Sequence, residues 1–365
     1  MSTHGVPRVS GEPPKSEQDR AKEARKIREY KSLIDAVQND DLTNETLTLT
    51  SRLLTWNPEY YSIWNVRRRI VCHLLKEMTT STQAEGPSTY RSDTSTEALS
   101  DLISNDLKFQ LPLLRKFPKC YWIWNYRLWL LEGPSGTLPK TNQQRLWEQE
   151  LSLAGKMLSL DSRNFNGWGY RRKVIAALER LSNGSDDHEQ WLTESEFEYT
   201  TKMINTNLSN FSAWHNRSVL IPRLLNERRA DRQARKKMLE EELELLQRAL
   251  WAGDNDSSLW FYHQNLMCTF DPQYAARSMA PDLSHHERQT YVKAEIEKVH
   301  EMLEGAEDCK WIYQSLIQLN MLHKNLSGDT CHAIGQIIQW VETLNKIDPL
   351  RSGRWNDLLQ KLRPQ

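Results

Sequence analysis

The side chains of this chain that could do chemistry are scattered, not gathered into the spacings that catalysis requires. Zinc needs His, Cys and carboxylate ligands at defined intervals, yet the only adjacent pair, His285-His286, lies in a polar stretch. His73, His215 and His263 stand singly within helical patterns, so no metal site is expected here. The five cysteines (Cys72, Cys120, Cys268, Cys309 and Cys331) are far apart and odd in number. They fit structural thiols in a reducing compartment better than a disulfide framework. No G-x-x-x-x-G-K-[ST], G-x-G-x-x-G or G-x-S-x-G motif occurs, so phosphate-loop, dinucleotide and nucleophile-elbow chemistries lack their signatures. What remains is aromatic and cationic. Residues 120–131, CYWIWNYRLWLL, hold Trp122, Trp124 and Trp129, which could line a ligand cage or simply be core.

The repeat decides part of that question. YYSIWNVRRRIV (60–71), CYWIWNYRLWLL (120–131), NFNGWGYRRKVI (164–175) and NFSAWHNRSVLI (210–221) share an aromatic residue, two variable positions, Trp, two more positions and Arg. Two further copies, DSSLWFYHQNLM and CKWIYQSLIQLN, are aligned on Trp260 and Trp311, with His263 and Gln314 in place of Arg. Anchored on Trp64, Trp124, Trp168, Trp214, Trp260 and Trp311, the intervals are 60, 44, 46, 46 and 51 residues. A period of roughly 45 with helical patterning is the mark of stacked helix pairs.

Each anchor follows a second helical pattern. Leu239, Leu243, Leu246 and Leu250 form one apolar stripe, and Trp147, Leu151, Ala154 and Leu158 another. Thr193 and Glu196, at capping-box spacing, predict the start of the helix before Trp214. Asn57-Pro58, Phe117-Pro118 and Asp161-Ser162 predict tight turns. The 60-residue interval is explained by the Ser/Thr-rich stretch 79–100, expected to be a flexible insertion. Pro112 should kink the helix that precedes Phe117, and residues 271–286 form a second variable stretch. A charged helix over 16–38, with Ile27, Tyr30, Ile34 and Val37 in a stripe, should cap one end. A degenerate pair over 332–362, with Ile334, Ile338, Val341, Trp355, Leu358 and Leu362, should cap the other. The expected fold is all-α, a right-handed α-α superhelix of helical hairpin repeats forming a single domain over 1–365.

Trp64 and Arg67, Trp124 and Arg127, Trp168 and Arg171, and Trp214 and Arg217 each share one helix face. The indole can fill the gap between repeats, while the arginine reaches helix-end carbonyls or a carboxylate of the next repeat. Recurrence on this scale specifies a scaffold, so function is expected where one copy differs. Lys119 in PKCYWIWNYR is such a place, because no other copy has lysine two residues before its aromatic.

Charge excludes some partners. Lys plus Arg equals Asp plus Glu at 48 each, and the basic run ERRADRQARKK (227–237) continues into EEELE. No nucleic-acid partner is expected. The N-terminus lacks the apolar core of a signal peptide, and no apolar run reaches the roughly 20 residues needed to cross a bilayer. A soluble, cytoplasmic protein without a transmembrane segment is expected.

With its motif written out, the chain resembles the α-subunits of protein prenyltransferases from about residue 20 to 360. Asn164, Phe165, Trp168, Tyr170, Arg171 and Arg172 are most similar to the third repeat of the type II enzyme, Rab geranylgeranyltransferase. PKCYWIWNYRLWLL, SLWFYH and DPLR add to that likeness. The resemblance implies an obligate heterodimer whose β-subunit carries the zinc and the isoprenoid pocket. It implies transfer of geranylgeranyl from geranylgeranyl diphosphate to C-terminal cysteines of Rab GTPases presented by a Rab escort protein. It assigns Lys119 and Tyr121 the α-subunit's share of catalysis, with Lys119 approaching the diphosphate. Lys119, Tyr121, Phe165 and Asn166 would face substrate, Phe165 by shape alone and Asn166 where the family often has histidine. First helices near 193–208, 238–251 and 289–304 are the expected escort surface. Two other readings stand beside this one. They are the α-subunit shared by farnesyltransferase and the type I geranylgeranyltransferase, and a non-catalytic scaffold that binds peptides.

Overall fold

A computed structural model describes residues 16–38, 41–83, 89–182, 186–328 and 333–362. Every regular element among them is helical. The chain divides into two compact units, Met1–Met157 with Gly169–Val174 and Leu158–Trp168 with Ile175–Gln365, where the sequence predicts a single domain. The reason is architectural, because stacked hairpins bury their apolar faces only against immediate neighbours and so share no global core.

The first unit begins with α1 (Glu17–Gln38), α2 (Asn44–Trp56), α3 (Tyr61–Gln83), α4 (Thr89–Lys116) and α5 (Tyr121–Glu132), followed by most of α6 (Lys140–Leu160). α1 lies on α2, α2 pairs with α3, and α4 pairs with α5 while also packing on α3. Of the expected stripe on the capping helix, Val37 is buried and Tyr30 and Ile34 half-buried, joined by buried Leu33, while Ile27 is 52% exposed. Tyr30 stacks on Trp56, 5.9 Å between ring centres.

The Ser/Thr-rich stretch also departs from expectation. Its described residues lengthen α3 to Gln83 and start α4 at Thr89, and residues 84–88 lie outside the described set. Composition argued for a loop, but the buried series Leu99, Ile103 and Leu107 carries a helical stripe back into the segment. Pro112 lies inside α4 without ending it.

The second unit holds α7 (Phe165–Leu181) apart from residues 169–174, then α8 (Asp186–Thr206), α9 (Phe211–Glu227), α10 (Arg232–Ala252), α11 (Ser257–Met267), α12 (His285–Glu301), α13 (Lys310–Ser327), α14 (Ala333–Ile347) and α15 (Ser352–Leu362). α8 pairs with α9, α10 with α11, α12 with α13, and α14 with α15. α9 packs on α11, α11 on α13 and α13 on α14.

Leu239, Leu243, Leu246 and Leu250 are all buried, as their spacing predicts. Thr193 is not a helix start. It lies inside α8, where its hydroxyl donates to Glu227 Oε1 at 3.2 Å. The capping box belongs to Ser284 and Glu287 at the head of α12. The variable stretch before it is tied down by Arg288, whose guanidinium donates to the carbonyls of Thr269, Pro281 and Leu283. In the C-terminal cap Val341 and Trp355 are buried as expected and Ile338, Leu358 and Leu362 pack partly buried against the core, while the fully buried Ile337 and Leu359 lie one residue from predicted positions.

Candidate functional site

Six turns of one design join the helices of the repeats. Each spans four residues and closes with a backbone bond from its fourth N–H to its first carbonyl. These bonds are Tyr60 to Asn57 (3.3 Å), Cys120 to Phe117 (3.0 Å), Asn164 to Asp161 (3.1 Å), Asn210 to Asn207 (3.1 Å), Asp256 to Gly253 (3.1 Å) and Cys309 to Ala306 (3.0 Å). The following helix sends an indole back over its own turn. Nε1 of Trp64, Trp124, Trp168 and Trp214 donates to the carbonyls of Pro58, Pro118, Ser162 and Leu208 at 2.8, 2.9, 2.9 and 2.8 Å. Trp260 does the same to Asp254.

In the sixth copy the donor is Tyr313, whose hydroxyl reaches the Glu307 carbonyl at 2.9 Å. The anchor is therefore Tyr313, not Trp311, and the position aligned with the repeat's arginine is Leu316, not Gln314. Trp311 is the more conspicuous residue, but it lies two positions too early and meets Phe261 edge-on at 5.6 Å. In the third copy, Gly167 lets α6 come close to α7, since a Cβ there would sit 3.0 Å from Leu158.

The arginines bind carboxylates on the first helix of the following hairpin. Arg67 Nε donates to Asp106 at 2.8 Å, Arg127 Nε to Glu150 at 3.0 Å and Arg217 Nε to Glu242 at 2.8 Å, each with a second bond from NH2. The acid's own hairpin supplies another donor twenty residues on. Tyr126 donates to Asp106 at 2.7 Å, Tyr170 to Glu150 at 2.6 Å and Tyr262 to Glu242 at 2.5 Å. The same arginines reach back to the first helix of their own hairpins. Arg67 and Arg127 meet the carbonyls of Leu47 and Leu107, and Arg217 meets Thr201 Oγ1. Arg171 reaches the Leu151 carbonyl at 3.5 Å.

All six members of these pairs are at most 4% exposed. Burial opposes charge on Arg127 and Arg217, but Glu150 and Glu242 outweigh it and raise both pKa values. Burial, reinforced by the neighbouring carboxylate, holds the three tyrosines well above their ordinary value, so they stay protonated as donors. The motif alone shows the arginine. The acid is visible only through its fixed distance from the tyrosine, a signal that aligning the tryptophans leaves out.

The fifth copy differs. His263 takes the arginine's place, 3.1 Å from Glu295 Oε1 through Nε2 and 3.3 Å from Ser315 Oγ through Nδ1. Burial pushes the Glu295 carboxyl up, but the hydrogen bond and charge of His263, aided by Lys298, bring it below its ordinary value. A depressed carboxyl contributes stability above its unfolded pKa, about 4.3, and that stability is lost as the pH falls through the folded value. Thermal melting is expected to lose stability on acidification below about pH 4.3, and Glu295→Gln should flatten that limb. Identical acid limbs in the two proteins would refute the assignment.

Lys119 is exposed at the third position of the Phe117–Cys120 turn, and Tyr121 opens α5 with 56% exposure. Tyr121 meets Trp122 edge-on at 5.7 Å, and Trp122 in turn lies 5.3 Å from Tyr61. Beside them, burial pushes the Cys120 thiol up to about 11, which leaves it a poor nucleophile. The structure thus brings Lys119 and Tyr121 together at one accessible helix start of the first unit. Phe165, 77% exposed, and half-buried Asn166 open α7 within the second unit. Among the described residues no group of three or more His, Cys, Asp or Glu side chains could hold a metal ion. Among the same residues no helix is long and apolar enough to cross a membrane.

The class follows from the turn, the indole and the arginine together. A model of the protein prenyltransferase alpha subunit repeat matches residues 43–74, 105–133, 147–178 and 193–224, the four copies that carry Trp with Arg. The geranylgeranyl transferase type-2 subunit alpha of Schizosaccharomyces pombe is 36% identical over 369 residues, covering 98% of each chain. That of Dictyostelium discoideum is 31% identical over 366 residues, covering 98% of this chain and all of its own. The chain belongs to the family of geranylgeranyl transferase type-2 α-subunits. A chain of the solved Candida albicans protein geranylgeranyltransferase-I complexed with GGPP shares the fold. Its TM-score is 0.58 and its identity 18%, over 97% of this chain and 96% of that one.

Proposed function

We propose that this protein is the α-subunit of a heterodimeric type II geranylgeranyltransferase acting in the cytoplasm. The complex transfers geranylgeranyl from its diphosphate to C-terminal cysteines of Rab GTPases presented by an escort protein. The observation that carries this reading is full-length similarity to type-2 α-subunits, with the same repeat at four positions. In the reaction, the bond between the geranylgeranyl carbon and the diphosphate oxygen breaks as a cysteine sulfur bonds to that carbon, and the diphosphate departs with added negative charge. A zinc ion held by the β-subunit supplies the chemistry that activates the thiol. This chain contributes a fixed cation, the Lys119 ammonium, to the departing diphosphate, with the aromatic face of Tyr121 beside it. Phe165 contributes shape and Asn166 a polar contact to substrate. The outer helices α8, α10 and α12 offer the surface for the escort protein.

The test is co-expression with a type II β-subunit, followed by measurement of geranylgeranyl transfer to a Rab protein with and without escort protein. Transfer that needs both the β-subunit and the escort protein is expected. Transfer to a free CaaX peptide would assign the chain to the type I and farnesyl enzymes, and a monomer stable without any β-subunit would favour a scaffold.

A further inference from the structure

The turn that carries Lys119 lacks a support that three of its five counterparts have. Where Asn164, Asn210 and Asp256 close their turns, the side chain also accepts a helix N–H, from Gly167, Ala213 and Ser258 respectively. Cys120 makes no such cap. Beside the backbone bond of the turn and a 3.5 Å contact between Cys120 Sγ and the Pro58 carbonyl, Trp124 ties this turn to the helix that follows it. Its Nε1 donates at 2.9 Å to the carbonyl of Pro118, the residue immediately before Lys119. The indole is only 3% exposed, and its ring lies 5.1 Å from that of Tyr170, which is held in turn by Glu150. A lysine side chain is long and flexible, so the volume its ammonium searches is set by where the backbone places its Cα.

We infer that Trp124 is a positioning residue for the transfer reaction, acting through the Pro118 carbonyl to hold Lys119 at the diphosphate. The inference rests on the role proposed above for Lys119. Removing the indole N–H while keeping an aromatic ring leaves the packing but loosens the turn, and a misplaced charge stabilises a developing anion far less than a pre-placed one. The scaffold supplies its own control, since Trp214 makes the same bond to Leu208, and the turn residue that follows there is Ser209.

The experiment uses the assembled heterodimer and single-site variants Trp124→Phe, Trp214→Phe and Lys119→Ala, together with the double variant of Trp124 and Lys119. Trp124→Phe is expected to lower kcat by about 10-fold with little change in KM for geranylgeranyl diphosphate. In the Lys119→Ala background it should cause no further loss, because two residues acting through one contact are not additive. Trp214→Phe should lower the melting temperature comparably and leave kcat unchanged. Full additivity of the two substitutions, or an equal loss of kcat in Trp214→Phe, would overturn the inference. Normal turnover of Trp124→Phe, with Lys119→Ala slow, would overturn it alone. Unaltered turnover of Lys119→Ala would instead overturn the reading of the site on which it rests.

Discussion

Lys119→Ala is expected to lower the rate of geranylgeranyl transfer about 100-fold in the assembled heterodimer, the scale on which one pre-placed donor to a developing anion acts. The loss should fall on kcat, because the charge that the ammonium meets grows as the diphosphate leaves. Heterodimer assembly is expected to survive. Lys119 is exposed on a turn closed by the backbone bond from the Cys120 N–H to the Phe117 carbonyl. Lys119→Arg should restore part of the rate, since it returns the charge with a different reach. The measurement is single-turnover transfer alongside size-exclusion chromatography of the complex. An unchanged rate in an intact heterodimer would remove Lys119 from the reaction.

Glu150→Ala is expected to be the most destabilising of the substitutions considered, by about 3–5 kcal/mol, the range for breaking a buried ion pair from one side. Glu150 takes bonds from both Arg127 and Tyr170, and Arg127 is 1% exposed. Its loss leaves a buried guanidinium without the carboxylate that offsets its desolvation. Glu150→Gln should cost less, because it can still accept from the tyrosine. By contrast, the exposed pair Arg52–Glu29 should tolerate either truncation with almost no change. Urea denaturation of the three variants separates these cases, and equal midpoints for Glu150→Ala and an Arg52→Ala control would show that the buried network carries no stability.

Much of the scaffold was legible because period and residue type agree. A tryptophan four residues after the close of the turn, with arginine three further on in four copies and His263 in the fifth, gave the first five anchors and the turns before them. The sixth was misread because Trp311 draws the eye, whereas the geometry needs a donor of the right length at the right step, which Tyr313 provides. The start of α8 was misplaced for a similar reason. Thr193 and Glu196 have capping-box spacing, but both are buried within a helix whose start lies further back. The described residues of 79–100 show the limit of composition, because a few correctly spaced aliphatics from Leu99 onward recruit polar residues into α4.

The candidate site was legible only in part. Lys119 stands out as an oddity within its repeat, but its proposed target lies on another molecule. Nothing in this chain's spacing could name it without the likeness to a family.

The paired use of each acid gives the array a grammar. Three hairpins receive an arginine plug from the hairpin before them in a socket made of one acid and one tyrosine. Asp106 with Tyr126, Glu150 with Tyr170 and Glu242 with Tyr262 are sockets of one gauge. Glu295 with Ser315 is of another, cut for the smaller His263. Hairpins of the common gauge could be duplicated, deleted or exchanged with their joints intact, whereas a cut at the His263 joint would leave mismatched ends.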